Sequence, residues 1–186
     1  IDSDESLQPD LKRAVAEAIA RKEPAIDGYL VNRKVWYRDR PLNFAWQPER
    51  RLRLVRRGKA AWTGLDPHDR LELNSAAAPP PLLAGDLRHD SISTFPDFLA
   101  KQAQHARTMA ASMHREGQRG NYVKLVTSPP GALLKQLVIK QAWRDGWAGW
   151  LAAGSTAAAS LMKHIALIEL SRGGRSDPET KDGRAV

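Results

Sequence analysis

Arg50-Arg51-Leu52-Arg53-Leu54-Val55-Arg56-Arg57-Gly58-Lys59 carries six basic residues in ten positions, with leucines alternating with arginines at its centre. In an extended chain successive side chains point to opposite faces, so Leu52 and Leu54 can meet a core while Arg51 and Arg53 face the other side. The pattern predicts a strand over 51–54, then a turn at Arg57-Gly58-Lys59 leading into Ala60-Ala61-Trp62. Upstream, Tyr29, Leu30, Val31, Val35 and Trp36 make residues 26–37 a β-rich run. Downstream, Arg70-Leu71-Glu72-Leu73 alternates in the same way, and Leu87-Arg88-His89 suits a short strand. The tract Ala76-Ala77-Ala78-Pro79-Pro80-Pro81 reads as a surface loop, because consecutive prolines donate no ladder hydrogen bonds.

Helical spacing brackets these strands. Pro9 suits the first position of a helix, and Leu11, Ala14, Val15, Ala18 and Ile19 recur every three or four residues, which predicts a helix over 9–21. Ser93 or Thr94 can cap a second helix with Phe95, Phe98, Leu99, Ala103, Ala106 and Met109 on its apolar side, ending near Gly117. The class expected is α/β, or α+β for the chain as it stands: a mixed sheet with flanking helices and a helical C-terminal extension.

In that extension, Pro129-Pro130 is expected to introduce a helical stretch over 131–143, where Leu133, Leu134, Leu137, Val138 and Ile139 mix with Lys135 and Lys140. Residues 147–162 carry no formal charge. That run falls short of the roughly 20 apolar residues a membrane span needs, and reads as a poor transmembrane candidate. Trp143, Trp147 and Trp150 fall at helical spacing beside basic residues, a pattern that suits an interfacial membrane anchor and equally a core or subunit contact. Residues 129–170 are expected to form an amphipathic, membrane-associating extension, and 171–186 a polar, disordered tail.

With 186 residues, one domain with a real core is expected. The net charge of +8 points to an anionic partner: nucleic acid, an acidic membrane surface or a phosphorylated substrate. The absence of cysteine removes thiol-ligated metal and thiol-nucleophile chemistry. The serine-hydrolase elbow, the P-loop and the dinucleotide fingerprint are all missing, and no two histidines have metal-helix spacing, which argues against those classes.

Three groups of residues carry candidate chemistry. Asp2 and Asp4 flank Ser3 ahead of the Pro9 helix. If extended, they project to one side and offer hard oxygen ligands to a divalent cation; a polar turn is the other reading. Asp66-Pro67-His68-Asp69 sets two carboxylates and an imidazole in a loop, where Asp69 or Asp66 can serve as a general base, or where both simply cap a turn. The Arg50–Lys59 run can grip a diphosphate, an anionic acceptor or a nucleic-acid backbone, or can be a solvated face.

The order of these pieces resembles the C-terminal half of bacterial family 2 glycosyltransferases of the lipopolysaccharide-core, β-glucosyltransferase-like branch. The matching pieces begin with D-S-D-E and the Pro-started helix (Asp2 to Leu11), N-R-K-V-W-Y (Asn32 to Tyr37) and P-E-R-R-L-R-L-V-R-R-G (Pro48 to Gly58). W-T-G-L-D-P-H-D (Trp62 to Asp69), L-R-H-D-S (Leu87 to Ser91) and the start of the helix at Phe98 to Lys101 follow. P-P-G-A-L-L-K, W-R-D-G-W-A-G-W-L and L-M-K-H complete the order, which covers about residues 1–170.

The resemblance implies a GT-A fold whose nucleotide-binding half precedes Asp2, so the chain is expected to lack an N-terminal part. It implies that residues 1–128 form the metal and acceptor part of the catalytic domain. Asp2 and Asp4 match the metal-binding D-x-D, which takes Mg²⁺ or Mn²⁺. His68-Asp69 matches a His-acid pair, with Asp69 as the base, Asp66 as the alternative, and Asp where relatives often carry Glu. Glu49, Arg51, Arg53 and Trp62 fall to the phosphate and substrate side. The implied activity is inverting transfer of a hexose from a nucleotide-sugar donor to a lipid-linked or lipopolysaccharide-core acceptor, at the cytoplasmic face of the inner membrane on an anionic surface. The competing readings are a basic nucleic-acid-binding module, disfavoured because no nucleic-acid motif is present, and a non-catalytic membrane-surface protein.

Overall fold

A ten-residue strand organises the sheet because it finds partners on both edges. In the computed structural model, which describes residues 1–63, 70–74 and 79–173, this strand is β2 (Gly28–Tyr37), preceded by β1 (Glu5–Leu7) and α1 (Pro9–Arg21). On one edge β2 pairs antiparallel with β3 (Arg40–Pro41) and β4 (Arg50–Val55); Asn32 stands opposite Arg50 and Val31 opposite Arg51. Two further strands, β5 (Ala60–Thr63) and β6 (Arg70–Leu73), pair with each other as a separate two-stranded sheet. On its other edge β2 runs parallel to β7 (Leu82–Ile92), and β1 adds antiparallel to β7, setting Glu5 opposite His89. The result is a mixed five-stranded sheet in an α/β protein, as the strand and helix patterns predict.

The first core lies under α1. Pro9 opens that helix and Lys22, in a left-handed conformation, closes it, so the expected bounds hold. Leu11 is buried with Val31, Leu83 and Leu87, and Leu7, Ala14, Val15 and Ala18 pack around them. The helix comes so close to β7 that a Cβ on Gly85, which sits at φ +88°, would overlap the backbone of Leu11.

A second core joins the end of the sheet to the C-terminal helices. α2 (Phe95–Arg115) is capped by Thr94, whose hydroxyl accepts from the Asp97 N–H at 3.2 Å. Phe95 is buried with Val35, Tyr37, Leu42, Ala45 and Ile92, and with Ala142, Ala148 and Ala152 from the last third of the chain. Tyr37 meets Phe95 as a tilted pair, ring centroids 4.9 Å apart, and Trp147 edge-on at 5.4 Å.

The last third departs from expectation in two places. Pro129 and Pro130 lie inside α3 (Tyr122–Leu134) and do not introduce a helix. Asn121 starts α3 by accepting the N–H groups of Val123 and Lys124, so the prolines, its eighth and ninth residues, fall in its third turn. They cannot donate to the carbonyls of Leu125 and Val126. A π-helical turn (Lys135–Ile139) and a 3₁₀ turn (Ala142–Asp145) follow directly.

The second departure is α4 (Trp147–Ser171), which continues through Lys163 and His164 for 25 residues and is long and apolar enough, by length and composition, to cross a membrane. The uncharged run alone understated its reach. α4 packs beside α2 and α3, burying Ala148, Ala152, Ala153, Ser155, His164 and Leu167. Residues 64–69, 75–78 and 174–186 lie outside the described residues, and with them most of the expected disordered tail.

Candidate functional site

The acidic triplet is a turn in the structure, which corrects the extended reading. Glu5 N–H donates to the Asp2 carbonyl and Asp2 N–H donates to the Glu5 carboxylate, each at 3.1 Å. Closing the turn separates the D-x-D side chains into different contacts. Asp2 lies 3.4 Å from Arg53, while Asp4 Oδ2 lies 3.3 Å from His89 Nε2. Asp2 and Asp4 keep 61% and 44% of their side chains exposed, so both carboxylates remain open to solvent and to a ligand.

Between them the chain buries a network of charge. Glu5, with a fully buried side chain, accepts from Arg53 at 3.2 Å and from Arg33 at 3.5 Å. Arg33 forks onto Glu49, with Nε to Oε2 at 3.2 Å and Nη2 to Oε1 at 2.7 Å. Arg51 completes the row by donating to the same Glu49 Oε1 at 3.0 and 2.8 Å. The antiparallel β2–β4 pairing and the β1–β7–β2 order make this possible, since they bring residues 5, 33, 49, 51 and 53 to one region of the sheet.

Supporting hydrogen bonds fix the geometry. Asn32 accepts the Glu49 N–H at 3.2 Å and donates to Asp86 at 2.7 Å. Gln47 Nε2 donates to the Arg33 carbonyl at 3.0 Å. The ion pairs sit where solvent screening is weak, so one missing partner leaves an uncompensated charge.

Ionisation follows from these contacts. Burial would raise the pKa of Glu5, yet the Asp2 N–H and the guanidinium groups of Arg53 and Arg33 outweigh it and hold the carboxyl below its ordinary value. Burial works against Glu49 in the same way, and Arg33 and Arg51 overcome it. Burial, aided by the charge of Arg33, pushes His89 below the ordinary histidine value against the opposing pull of Asp4, Glu5 and Glu49.

Sequence reasoning identified some of these residues and missed others. Asp2, Glu49, Arg51 and Arg53 meet in one network, and Asp4 lies beside it through His89. Trp62 is exposed on β5, and among the described residues no hydrogen bond ties it to the network. Asp66, His68 and Asp69 lie outside the described residues. Glu5, Arg33 and His89 were missed. Arg33 stands between the buried Val31 and Val35 in a strand, and a charge so placed requires a partner.

Chemically, the arrangement presents two solvent-open carboxylates, Asp2 against Arg53 and Asp4 against His89. Among the described residues no group of three or more His, Asp or Glu side chains converges as a ready-made cation cage. Two carboxylates suit Mg²⁺ or Mn²⁺ when phosphate oxygens and water fill the remaining positions, since Mg²⁺ binds in that way and keeps several waters. Arg53 and Arg51 are engaged by carboxylates, and Arg56 donates to the carbonyls of Ile26 and Glu23, which leaves fewer free guanidiniums in the run for a nucleic-acid backbone. No protein-family profile matches the chain, and no solved structure matches it.

Proposed function

We propose that the chain carries the metal and acceptor side of an inverting glycosyltransferase, which moves a hexose from a nucleotide-sugar donor to a lipid-linked or lipopolysaccharide-core acceptor as a peripheral protein on the cytoplasmic face of the inner membrane. The observation that carries this reading is the 3.4 Å contact between Asp2 and Arg53, residues 51 positions apart, with Glu5 buried behind them. It joins the acidic triplet to the arginine strand, the two pieces a diphosphate-handling site requires side by side.

In the reaction the acceptor hydroxyl attacks the anomeric carbon, its new C–O bond forming as the bond to the nucleoside diphosphate breaks. The hydroxyl proton passes to a carboxylate, for which Asp69 is the first candidate and Asp66 the second, both in the segment joining β5 to β6. Asp2 and Asp4 would hold the Mg²⁺ or Mn²⁺, and the cation supplies charge neutralisation for the departing diphosphate. Arg51, the more exposed of the two arginines, presents a planar fork suited to phosphate oxygens. Arg53 holds Asp2 in position, and Glu49 orients Arg51. Trp62 offers an exposed indole to the sugar or acceptor.

The test is sugar transfer by the full-length protein to a membrane-extracted acceptor. Asp69→Ala and Asp4→Ala are each expected to lower transfer by about 10²-fold or more. Normal transfer by both variants would overturn the reading.

A further inference from the structure

α3 leaves an apolar stripe in solvent. Val123, Val126, Pro130, Leu134 and, beyond it in the π turn, Val138 recur every three or four residues, and all are exposed. No residue of α3 is buried, and Val126 and Ile139 are 70% and 71% exposed. The 3₁₀ turn adds Trp143, and α4, packed beside α3, adds Trp147, Trp150 and Leu151. Isolated exposed apolar residues need no explanation, whereas many of them gathered on neighbouring helices mark a contact surface.

The charge around the stripe identifies what covers it. From Arg119 to Gly173 there are seven basic residues and two acidic ones. Of the two, Asp145 is spent on the N–H groups of Asn43, Phe44 and Ala45. Lys124 and Lys135 are exposed on the same segment as the valines. Apolar side chains, indole rings and lysines together match the boundary between acyl chains and anionic headgroups.

We propose that α3, the π turn and the start of α4 form a monotopic insertion face that seats in the surface of an anionic bilayer, with α4 lying in the membrane plane. The orientation follows from the opposite side of α4, where Ala148, Ala152, Ala153 and Leu167 are buried against the protein. Turning α4 into lipid as a span would strip those residues from the core. The inner side of the π turn is fastened to the charged network: Gln136 accepts the Trp46 N–H at 3.3 Å, and Lys140 donates at 2.8 Å to the carbonyl of Gln47, whose side chain holds Arg33. Docking therefore sets the height of the network above the lipid. The proposal rests on the membrane-surface location given above and adds the surface and its orientation.

The experiment is co-sedimentation of the full chain with vesicles of phosphatidylglycerol and phosphatidylcholine, compared with phosphatidylcholine alone. The wild type is expected to bind the anionic vesicles, and Val126→Glu with Val138→Glu to weaken binding by at least about tenfold without changing the thermal unfolding curve. Lys124→Glu and Lys135→Glu are each expected to weaken it about fivefold, with wild-type binding falling as salt rises. Variants that bind anionic vesicles like the wild type would overturn the face while leaving the location intact. A wild type that binds no vesicle would overturn both. Wild-type dimers that become monomers in the valine variant, with vesicle binding unchanged, would make the face a contact between copies. Retention in membranes after alkaline extraction would make α4 a span, against the proposal.

Discussion

Glu5 accepts a hydrogen bond from Arg53 at 3.2 Å across 48 residues of sequence, and its side chain has no exposure at all. Arg53 and Arg33 are 17% and 19% exposed, so removing the carboxylate leaves two largely buried cations short of a partner. Glu5→Ala is expected to lower unfolding free energy by roughly 3 kcal/mol, and Glu5→Gln by less, since it keeps an acceptor. Urea denaturation reads this as a shifted midpoint at constant slope. A loss below about 1 kcal/mol for Glu5→Ala would mean that Glu49 and Asp2 alone satisfy the arginines.

Asp145 holds the loop after β3 by accepting three backbone N–H groups, from Asn43, Phe44 and Ala45, at 2.8 to 2.9 Å. Hydrogen bonds to a charged acceptor contribute about 1.5–3 kcal/mol each and do not add fully. Asp145→Ala is expected to cost about 3 kcal/mol, and Asp145→Asn a smaller amount. The same loop carries Trp46 and Gln47, so near-ultraviolet circular dichroism should report the loosening.

Gly149, the third residue of α4, lies where an added Cβ would overlap the carbonyl oxygen of Ala142. Helix propensity alone favours Ala over Gly by about 1 kcal/mol. Overpacking costs about 1–3 kcal/mol, so Gly149→Ala is expected to destabilise. A raised melting temperature would show that the 3₁₀ turn yields freely.

Stability should fall in two stages on acidification. His89 and His164 are both held below their ordinary value of 6.5, by burial first, with Arg33 acting on His89 and Lys163 and Lys124 on His164. The unfolded chain therefore takes up these protons first, and stability, complete above pH 6.5, erodes below it. Glu5 and Glu49 are held below their ordinary 4.5, and their contribution is complete above that pH and lost beneath it. Melting temperature measured from pH 7.5 to 3.5 checks both stages, and His164→Met should flatten the upper one. A flat profile between pH 7 and 5 would contradict the histidine assignment.

In the proposed reading Arg51, half exposed and bound to Glu49, contacts the nucleotide-sugar donor. In full-length protein Arg51→Ala is expected to raise the donor KM by about tenfold with little change in melting temperature, because the loss is one charge-assisted contact. Arg51→Lys should recover part of it. Equal KM values for wild type and Arg51→Ala would remove Arg51 from the proposed donor contacts.

The parts legible in the sequence were those governed by local pattern. The Pro9 start and the Leu11, Ala14, Val15, Ala18 spacing gave the bounds of α1, and the Arg-Leu alternation gave β4. Pro129-Pro130 misled because proline is usual at a helix start, while the Asn121 cap, eight residues before Pro129, had already set the helix going. The D-x-D misled in geometry, since the Asp2–Glu5 turn depends on Glu5 finding Arg33 and Arg53, partners that only the folded sheet supplies. Glu5 and Arg33 were hidden for the same reason: each looks like an ordinary charge until β1, β2 and β4 meet.

The parallel pairing of β2 with β7 also orders events during synthesis. Among the described residues β1 pairs with β7 alone, and β2 on that edge pairs with nothing until Leu82–Ile92 is available. As the chain leaves the ribosome, the β2–β4 hairpin can form early, while Glu5 must wait for β7 before it can reach Arg33 and Arg53. The nascent protein thus carries an incomplete acid-arginine network until β7 has emerged, and the apolar helices α3 and α4 appear only after the strands of the sheet that receives them.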